Sequence, residues 1–352
     1  MSSHLKAEMK NAVLAENLNG AQGEVPTLSI VVPAYFEEGN LDLLHEKLLQ
    51  VMEALNESWE LIIVDDGCKD KTWEVISQLS AKDDHVKGLR LSRNFGHQYS
   101  LFAGLKHSRG KAVISMDADL QHPPAMIGKL LEQWRNGYQL VHTVRLDHEG
   151  ISGFKKKTSQ LFYRFFSFLS GVELSEGVAD FRLLDRQVVN EILGFKEGGL
   201  FLRGLVHWVG YKNTYVDYQC QERYAGESKY NFKRMLKFAW TGITSFSIIP
   251  LRIGVIIGLL TSLFAFYQLA EAVYVKFFTN LAVPGWASVI GLVSLLFGVL
   301  FILLGIIGEY IARILEEVRG RPRYIISEQV GLITKSDNDL EKKVILSDQR
   351  RL

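Results

Sequence analysis

The most informative short run of residues for chemistry is Asp117-Ala118-Asp119-Leu120-Gln121, which directly follows the apolar run Ala112 to Met116. While a chain stays extended, alternation projects Asp117 and Asp119 to one side, and Gln121 continues the period. Two hard carboxylate donors so placed suit one magnesium or manganese ion, which bridges diphosphate oxygens and neutralises a departing nucleoside diphosphate. Acids after a strand also serve as turn residues and helix caps, so this pair does not choose between the two roles by itself.

Short apolar runs and helical stretches must position these acids. Leu28 to Val32 reads as a buried strand stopped by Pro33, and Leu61 to Val64 as a second, running into Asp65-Asp66-Gly67. Val86 to Leu91 and Ala112 to Met116 are further strand candidates, with helical stretches from Leu41 to Leu55 and Thr72 to Leu79 between them. Such alternation predicts a parallel sheet covered on both faces. In these sheets ligands gather beyond the carboxyl ends of the strands, where the acids stand.

The 352 residues, 47% hydrophobic, with a net charge of +1, suffice for about two domains and argue against nucleic acid as a partner. Cys68 and Cys220 form neither a disulfide framework nor a metal-ligand spacing, which suggests a reducing compartment. Two runs, Ile253 to Ala270 and Trp286 to Ile307, carry no charge and approach the ~20 residues that cross a bilayer. Two such runs joined by a short loop predict a transmembrane hairpin, about 252–275 and 285–308, rather than buried helices. Lys229, Lys233, Arg234, Lys237 and Arg252 precede it, and Arg313, Arg319, Arg321 and Arg323 follow, whereas the loop holds only Lys276. The excess of cations at both ends places them in the cytoplasm. The polar start lacks the features of a signal peptide and reads as a disordered tail, and the last ~20 residues read as mostly solvated. Lys155 to Leu169 and Lys229 to Phe246 are amphipathic, suited either to lipid headgroups or to packing against protein.

Taken with Ser29 to Leu41, Leu61 to Thr72, Leu91 to Leu105, Ala179 to Arg186 and Arg223 to Tyr230, the acidic run resembles the family 2 inverting glycosyltransferases of GT-A fold. Within these it is similar to the polyprenyl-phosphate glycosyltransferases, the group of dolichol-phosphate mannose synthase and bactoprenol glucosyltransferase. By that resemblance Pro33, Tyr35 and Glu37 contact the nucleotide, Asp65 and Asp66 hold its base and ribose, and Arg93, Asn94 and Gly96 form the next donor loop. Carboxylates can accept hydrogen bonds from a uracil N–H or ribose hydroxyls, although Asp-Asp-Gly serves a capped turn equally. The resemblance assigns Asp117, Asp119 and Gln121 to the Mg2+ or Mn2+ ion and diphosphate, and Asp180 to the catalytic base. A lipid monophosphate acceptor, with its second pKa near ~6, is already nucleophilic, so Asp180 equally suits positioning of Arg182 or the acceptor. Arg145, Lys156, Lys157, Arg182, Arg223 and Lys229 are candidates for the acceptor phosphate. Cys68 replaces the usual serine of the second motif and is expected to soften a donor contact, and His122 is expected to line or cap its loop rather than bind metal.

These expectations combine into a disordered tail over 1–26, a cytoplasmic GT-A domain over 27–224 and an amphipathic juxtamembrane segment over 225–250. A transmembrane hairpin over 251–310 and a cytoplasmic segment over 311–352 follow. The predicted fold is a mixed, mostly parallel α/β sheet with helices on both faces. The resemblance implies inverting transfer of one sugar, first of all glucose from UDP-glucose, to polyprenyl phosphate at a bacterial inner or plasma membrane, and it also implies a homotetramer. A processive polysaccharide synthase is the rival reading, but it normally carries a Q-x-x-R-W motif, and Gln133-Trp134-Arg135 has the wrong order. An inactive membrane scaffold is a further rival, opposed by the intact Asp65, Asp117, Asp119 and Asp180.

Overall fold

The computed structural model describes residues 25–146, 178–195, 202–219, 249–278 and 285–332. Strands β1 (Leu28–Ala34) and β2 (Trp59–Asp65) are buried along their whole length, as expected where helices cover both faces of a sheet and an unbroken apolar run replaces alternation. Helix α1 (Leu41–Leu55) joins them. It buries Leu41, Leu44, Leu48 and Met52 as one stripe and ends at Asn56, whose left-handed backbone (φ 50°) lets its N–H reach the Met52 and Glu53 carbonyls. Helix α2 (Thr72–Lys82) leads to β3 (Val86–Leu91), and α3 (His97–His107) leads to β4 (Ala112–Ser115). The four strands run parallel in the order β4-β1-β2-β3.

Beyond β4 the sheet becomes mixed. Helix α4 (Ile127–Arg135) precedes β5 (Leu140–Leu146), and β6 (Val178–Asp185) runs antiparallel between β4 and β5. Helices α5 (Arg186–Gly194) and α6 (Leu202–Trp208) follow, and β7 (Asn213–Gln219) closes that side beside β5. Helices α1, α2 and α4 pack on one face with Ile30, Ile63 and Phe181. Helices α3, α5 and α6 pack on the other with Val31, Val64 and Leu184. This is the expected GT-A sheet.

Two apolar helices follow, α7 (Ile249–Phe278) and α8 (Trp286–Arg319), each several residues longer than the predicted spans. Both are candidate membrane spans by length and composition. They touch through Gly254 and Gly258, four apart on α7. A Cβ on Gly254 would stand 2.9 Å from Leu303, so small residues bring the helices together. The chain then returns to the sheet. Within the segment expected to be a separate cytoplasmic terminus, β8 (Ile326–Val330) pairs antiparallel with β3 as the eighth strand. Five residues with Ser327, Glu328 and Gln329 at their centre carry too weak an apolar pattern to announce a strand, and the exposed edge of β3 supplies the missing specification. The basic amphipathic stretches and both chain tails lie outside the described residues.

Helix α3 lies close on β1 because Gly104 has no side chain: a Cβ there would come within 2.2 Å of Val31 Cγ1 and 3.2 Å of Val64 Cγ2. Stiff β-branched neighbours cannot swing away. Gly104→Ala is therefore expected to lower stability by about 1–3 kcal/mol, the usual penalty of overpacking, in thermal unfolding of the full-length protein in detergent. A variant melting with the parent would contradict this close approach.

Candidate active site

The carboxyl ends of β1, β2 and β3 border a cleft of about 410 Å³ lined by Tyr35, Phe36, Lys69, Arg90, Arg93 and Glu328, among others. Its shape depends on Gly67. With φ at +67°, and with a Cβ that would fall 2.3 Å from the Arg93 carbonyl carbon, only glycine lets the loop after β2 lie against the loop after β3. Tyr35 and Phe36 meet edge to face at 4.5 Å and stand exposed, and Arg93 lies 4.1 Å over the Phe95 ring. Pro33 is buried within β1 and supports the wall without lining it. Glu37 accepts a 2.6 Å bond from Asn40 Nδ2, and its N–H donates to Thr72 Oγ1.

Asp65 and Asp66, expected to face the nucleotide, are turned into the protein. Asp66 accepts the N–H groups of Phe95 and Gly96 at 2.8 and 2.9 Å, one on each oxygen, and so shapes the loop after β3. Asp65 Oδ1 accepts the Cys68 N–H at 2.8 Å, and Oδ2 lies 3.3 Å from Arg90 Nε. Burial raises the pKa of both carboxyls, opposed by these amides and, for Asp65, by the Arg90 charge. The Cys68 thiol also points inward: its sulfur accepts the Phe36 N–H at 3.2 Å, and burial pushes its pKa up to about 12. Cys68 lines the cleft, with its sulfur engaged by the Phe36 backbone.

The acidic run is a turn rather than a strand extension. β4 ends at Ser115 and the chain turns at Ala118 and Asp119, with Leu120 then at φ +62°, so strand alternation does not orient Asp117 and Asp119. Asp119 is largely buried and accepts the Gln121 N–H at 3.2 Å, with Gln121 half-buried at the turn's exit. The Asp117 side chain remains 37% exposed, and its N–H donates to His122 Nδ1 at 3.0 Å. His122 is buried and stacked on Phe181 at 5.0 Å, which makes it the loop-lining residue that the sequence suggested. Among the described residues no group of three or more His, Cys, Asp or Glu encloses a metal site. An open carboxylate next to a second still fits magnesium or manganese, which retain water and take substrate phosphate oxygens beside one or two carboxylates.

Because β6 runs antiparallel beside β4, with Ser115 opposite Arg182, it carries Asp180 to the same rim as Asp117. Asp180 receives Arg203 Nε and Nη2 at 2.8 and 2.7 Å and Arg182 Nη2 at 2.6 Å. Burial alone would raise its pKa, but the Arg203 and Arg182 charges hold it well below the usual carboxylate range. His97 Nε2 stands 3.7 Å from both Asp117 Oδ1 and Asp180 Oδ2 and links the two acids. The sequence reading passed over His97 and Arg203: a lone histidine opening α3 and a lone arginine on seven-residue α6 have no local signature.

Among the expected acceptor cations, Arg145 is exposed near the end of β5, on the rim shared with Asp117. Arg182 is 3% exposed and engaged inside the domain, beneath a layer in which His142 stacks on His207 at 4.7 Å. Burial, then the charge of Arg182, pushes the His142 pKa down to about 3, so that imidazole stays neutral. Lys156, Lys157, Arg223 and Lys229 lie outside the described residues.

Replacing Arg203 removes a two-pronged partner from a buried carboxylate. Arg203→Gln is expected to lower stability by about 1–3 kcal/mol and to reduce turnover, and Arg203→Lys to restore part of both, since lysine keeps the charge but not the planar fork. Thermal unfolding and initial rates on the same preparations check this. Unchanged values for Arg203→Gln would show that the pair does not hold Asp180.

Residues 29–193 match the family description Glycosyl transferase family 2. An uncharacterized glycosyltransferase, YkcC, of Bacillus subtilis is 42% identical over 87% of this chain and 95% of its own length. The bactoprenol glucosyl transferase of Shigella phage SfII is 39% identical over 86% of this chain and 97% of its own. A prophage bactoprenol glucosyl transferase homolog of Escherichia coli is 38% identical over 85% and 98%. A solved glucosyl-3-phosphoglycerate synthase from Mycobacterium tuberculosis, with Mn2+ and UDP-glucose, aligns at 16% identity and a TM-score of 0.43 over 62% of this chain and 78% of that one, too distant to transfer a ligand. The alignments to the curated relatives continue past the sheet: the 301 residues shared with the Escherichia coli protein cannot all precede Ile249, so the likeness extends into the apolar helices. Identity near 40% over almost the full length of these relatives makes the chain a member of glycosyl transferase family 2.

Proposed function

We propose that this enzyme transfers one sugar from a nucleotide-sugar to the phosphate of a polyprenyl phosphate at the cytoplasmic face of the membrane, inverting the anomeric centre. UDP-glucose is the leading donor, by likeness to the bactoprenol glucosyl transferases. The observation that carries this reading is the likeness to those transferases through both the catalytic sheet and the apolar helices. Exposed Val255, Leu259, Leu263, Phe266, Phe301 and Leu304 on those helices call for an apolar cover, and a bilayer supplies it beside an acceptor with a lipid tail.

The cleft beside Tyr35 and Phe36 would take the nucleotide, and its sugar would extend toward Asp117. A divalent cation bound by Asp117 and Asp119 would supply charge neutralisation to the leaving diphosphate. Asp180 is a poor proton acceptor, because two arginines stabilise its ionised form. The acceptor phosphate, with a second pKa near ~6, arrives largely ionised and needs no base. Asp180 instead orients Arg203, Arg182 and His97 around the place where the anion meets the sugar. Arg145 on the rim offers that anion a further cation.

Full-length protein in detergent, given UDP-glucose, Mn2+ and undecaprenyl phosphate, is expected to release UDP and form one lipid-linked, β-configured glucosyl phosphate. Polymeric product, or no lipid-linked sugar from any common nucleotide-sugar, would refute the proposal. The acid limb of kcat/KM is expected near ~6, set by the acceptor phosphate, and to remain in Asp180→Asn while the rate falls. Loss of that limb in Asp180→Asn would instead identify Asp180 as the base.

A further inference from the structure

The strand that follows the second apolar helix reaches the nucleotide cleft. β8 contributes Ser327 and Glu328 to the lining, although more than 230 residues separate them from the loops opposite. Glu328 uses both carboxylate oxygens: Oε1 accepts Arg90 Nη1 at 2.7 Å, and Oε2 accepts Trp73 Nε1 at 3.0 Å. Arg90 then reaches inward, with Nε 3.3 Å from Asp65 Oδ2 and Nη2 3.3 Å from the Cys68 carbonyl. The Ser327 hydroxyl donates to the Arg90 carbonyl at 3.2 Å, and the pairing register shifts between Arg90 and Leu91. One guanidinium thus bridges the loop after β2 to the strand after the hairpin.

We propose that Glu328 is a positioning residue for the donor. By fixing Arg90 between itself and Asp65, it sets the cleft wall that holds a nucleoside diphosphate, and so the segment behind the hairpin governs donor affinity. This rests on reading the cleft as the nucleotide site. Without Glu328, Arg90 keeps only its longer contacts, 3.3 Å to Asp65 and 3.3 Å to the Cys68 carbonyl, and the cation beside Asp65 is less firmly placed. The geometry also separates this role from simple strand docking. The Glu328 side chain is 51% exposed, and an ion pair so open to water adds about 0–1 kcal/mol to stability, so the Arg90 pair contributes little beside the bond from the Trp73 indole.

The test uses the full-length protein with Mn2+ and titrations of UDP, GDP and CDP, together with initial rates against nucleotide-sugar and undecaprenyl phosphate. Glu328→Ala is expected to weaken binding of the preferred diphosphate and raise donor KM about fivefold to tenfold, because donor binding must then order a guanidinium that Glu328 no longer fixes. The kcat and acceptor KM should stay near the parent's, the melting temperature should fall no further than loss of the Trp73 bond requires, and Glu328→Asp should recover part of the donor affinity. Unchanged diphosphate affinity in Glu328→Ala overturns the proposal, as does a parallel change in donor KM, acceptor KM and melting temperature. Failure of the parent to bind any of the three diphosphates overturns it as well. Diphosphate binding that depends on Glu328 in a protein that glycosylates no polyprenyl phosphate supports this inference and refutes the proposed acceptor.

Discussion

The arrangement of the site depends on the pairing of Asp180 with Arg203 and Arg182. A carboxylate buried to this extent cannot stay ionised without compensation, and removal of a partner leaves an uncompensated charge in a poorly solvated place. The pairing therefore holds α6 onto β6 and brings Arg203 from a short helix to the rim where β4 ends. It also leaves a local surplus of one positive charge beside a carboxylate that would otherwise repel an anion. The same His97 Nε2 stands 3.7 Å from Asp117, the open acid of the turn that also holds Asp119. An acidic side suited to a cation and a basic side suited to an anion meet at one imidazole.

The sheet explains how such distant residues converge. Parallel strands β1, β2 and β4 deliver their carboxyl ends to one rim, and antiparallel β6 brings residues near its start to that same rim. The edge of β3 would expose unpaired backbone groups, and β8 covers it. At 1.5 Å per residue the 34 residues of α8 span about 51 Å, more than the ~30 Å that a hydrocarbon core would require, and the chain reaches β8 soon after its last turn. The apolar helices are thus tethered to the sheet at both ends and not appended to it.

Legibility in the sequence followed the locality of the signal. Leu28 to Val32 and Leu61 to Val64 were readable as buried strands because burial on both faces leaves an unbroken apolar run, and the apolar helices were readable for the same reason. β8 was not, because its residues are polar and its conformation comes from the partner strand. Asp117 and Asp180 were recognisable from short motifs, but their surroundings were not: the alternation argument for Asp117 and Asp119 fails because β4 ends at Ser115 and the chain is already turning at Ala118. Asp66 looked like a ligand contact and proves to hold the Phe95 and Gly96 amides, since a carboxylate after a strand serves a loop as readily as a substrate. Arg203 became visible only when folding set α6 above β6.

The state of Asp180 also bears on why a phosphate acceptor suits this site. An alcohol acceptor must lose a proton during attack, and a base serves that purpose when its pKa lies near the working pH. Two arginines move Asp180 away from that range and so work against such chemistry. A phosphate monoester carries its negative charge before it binds, so the difficulty lies in removing that charge from water and not in creating it. Fixed cations oriented in advance reduce that difficulty, because they replace the hydration of the anion without reorganising during the reaction. The pairing that weakens Asp180 as a base is therefore the feature that suits its surroundings to an acceptor that is already ionised.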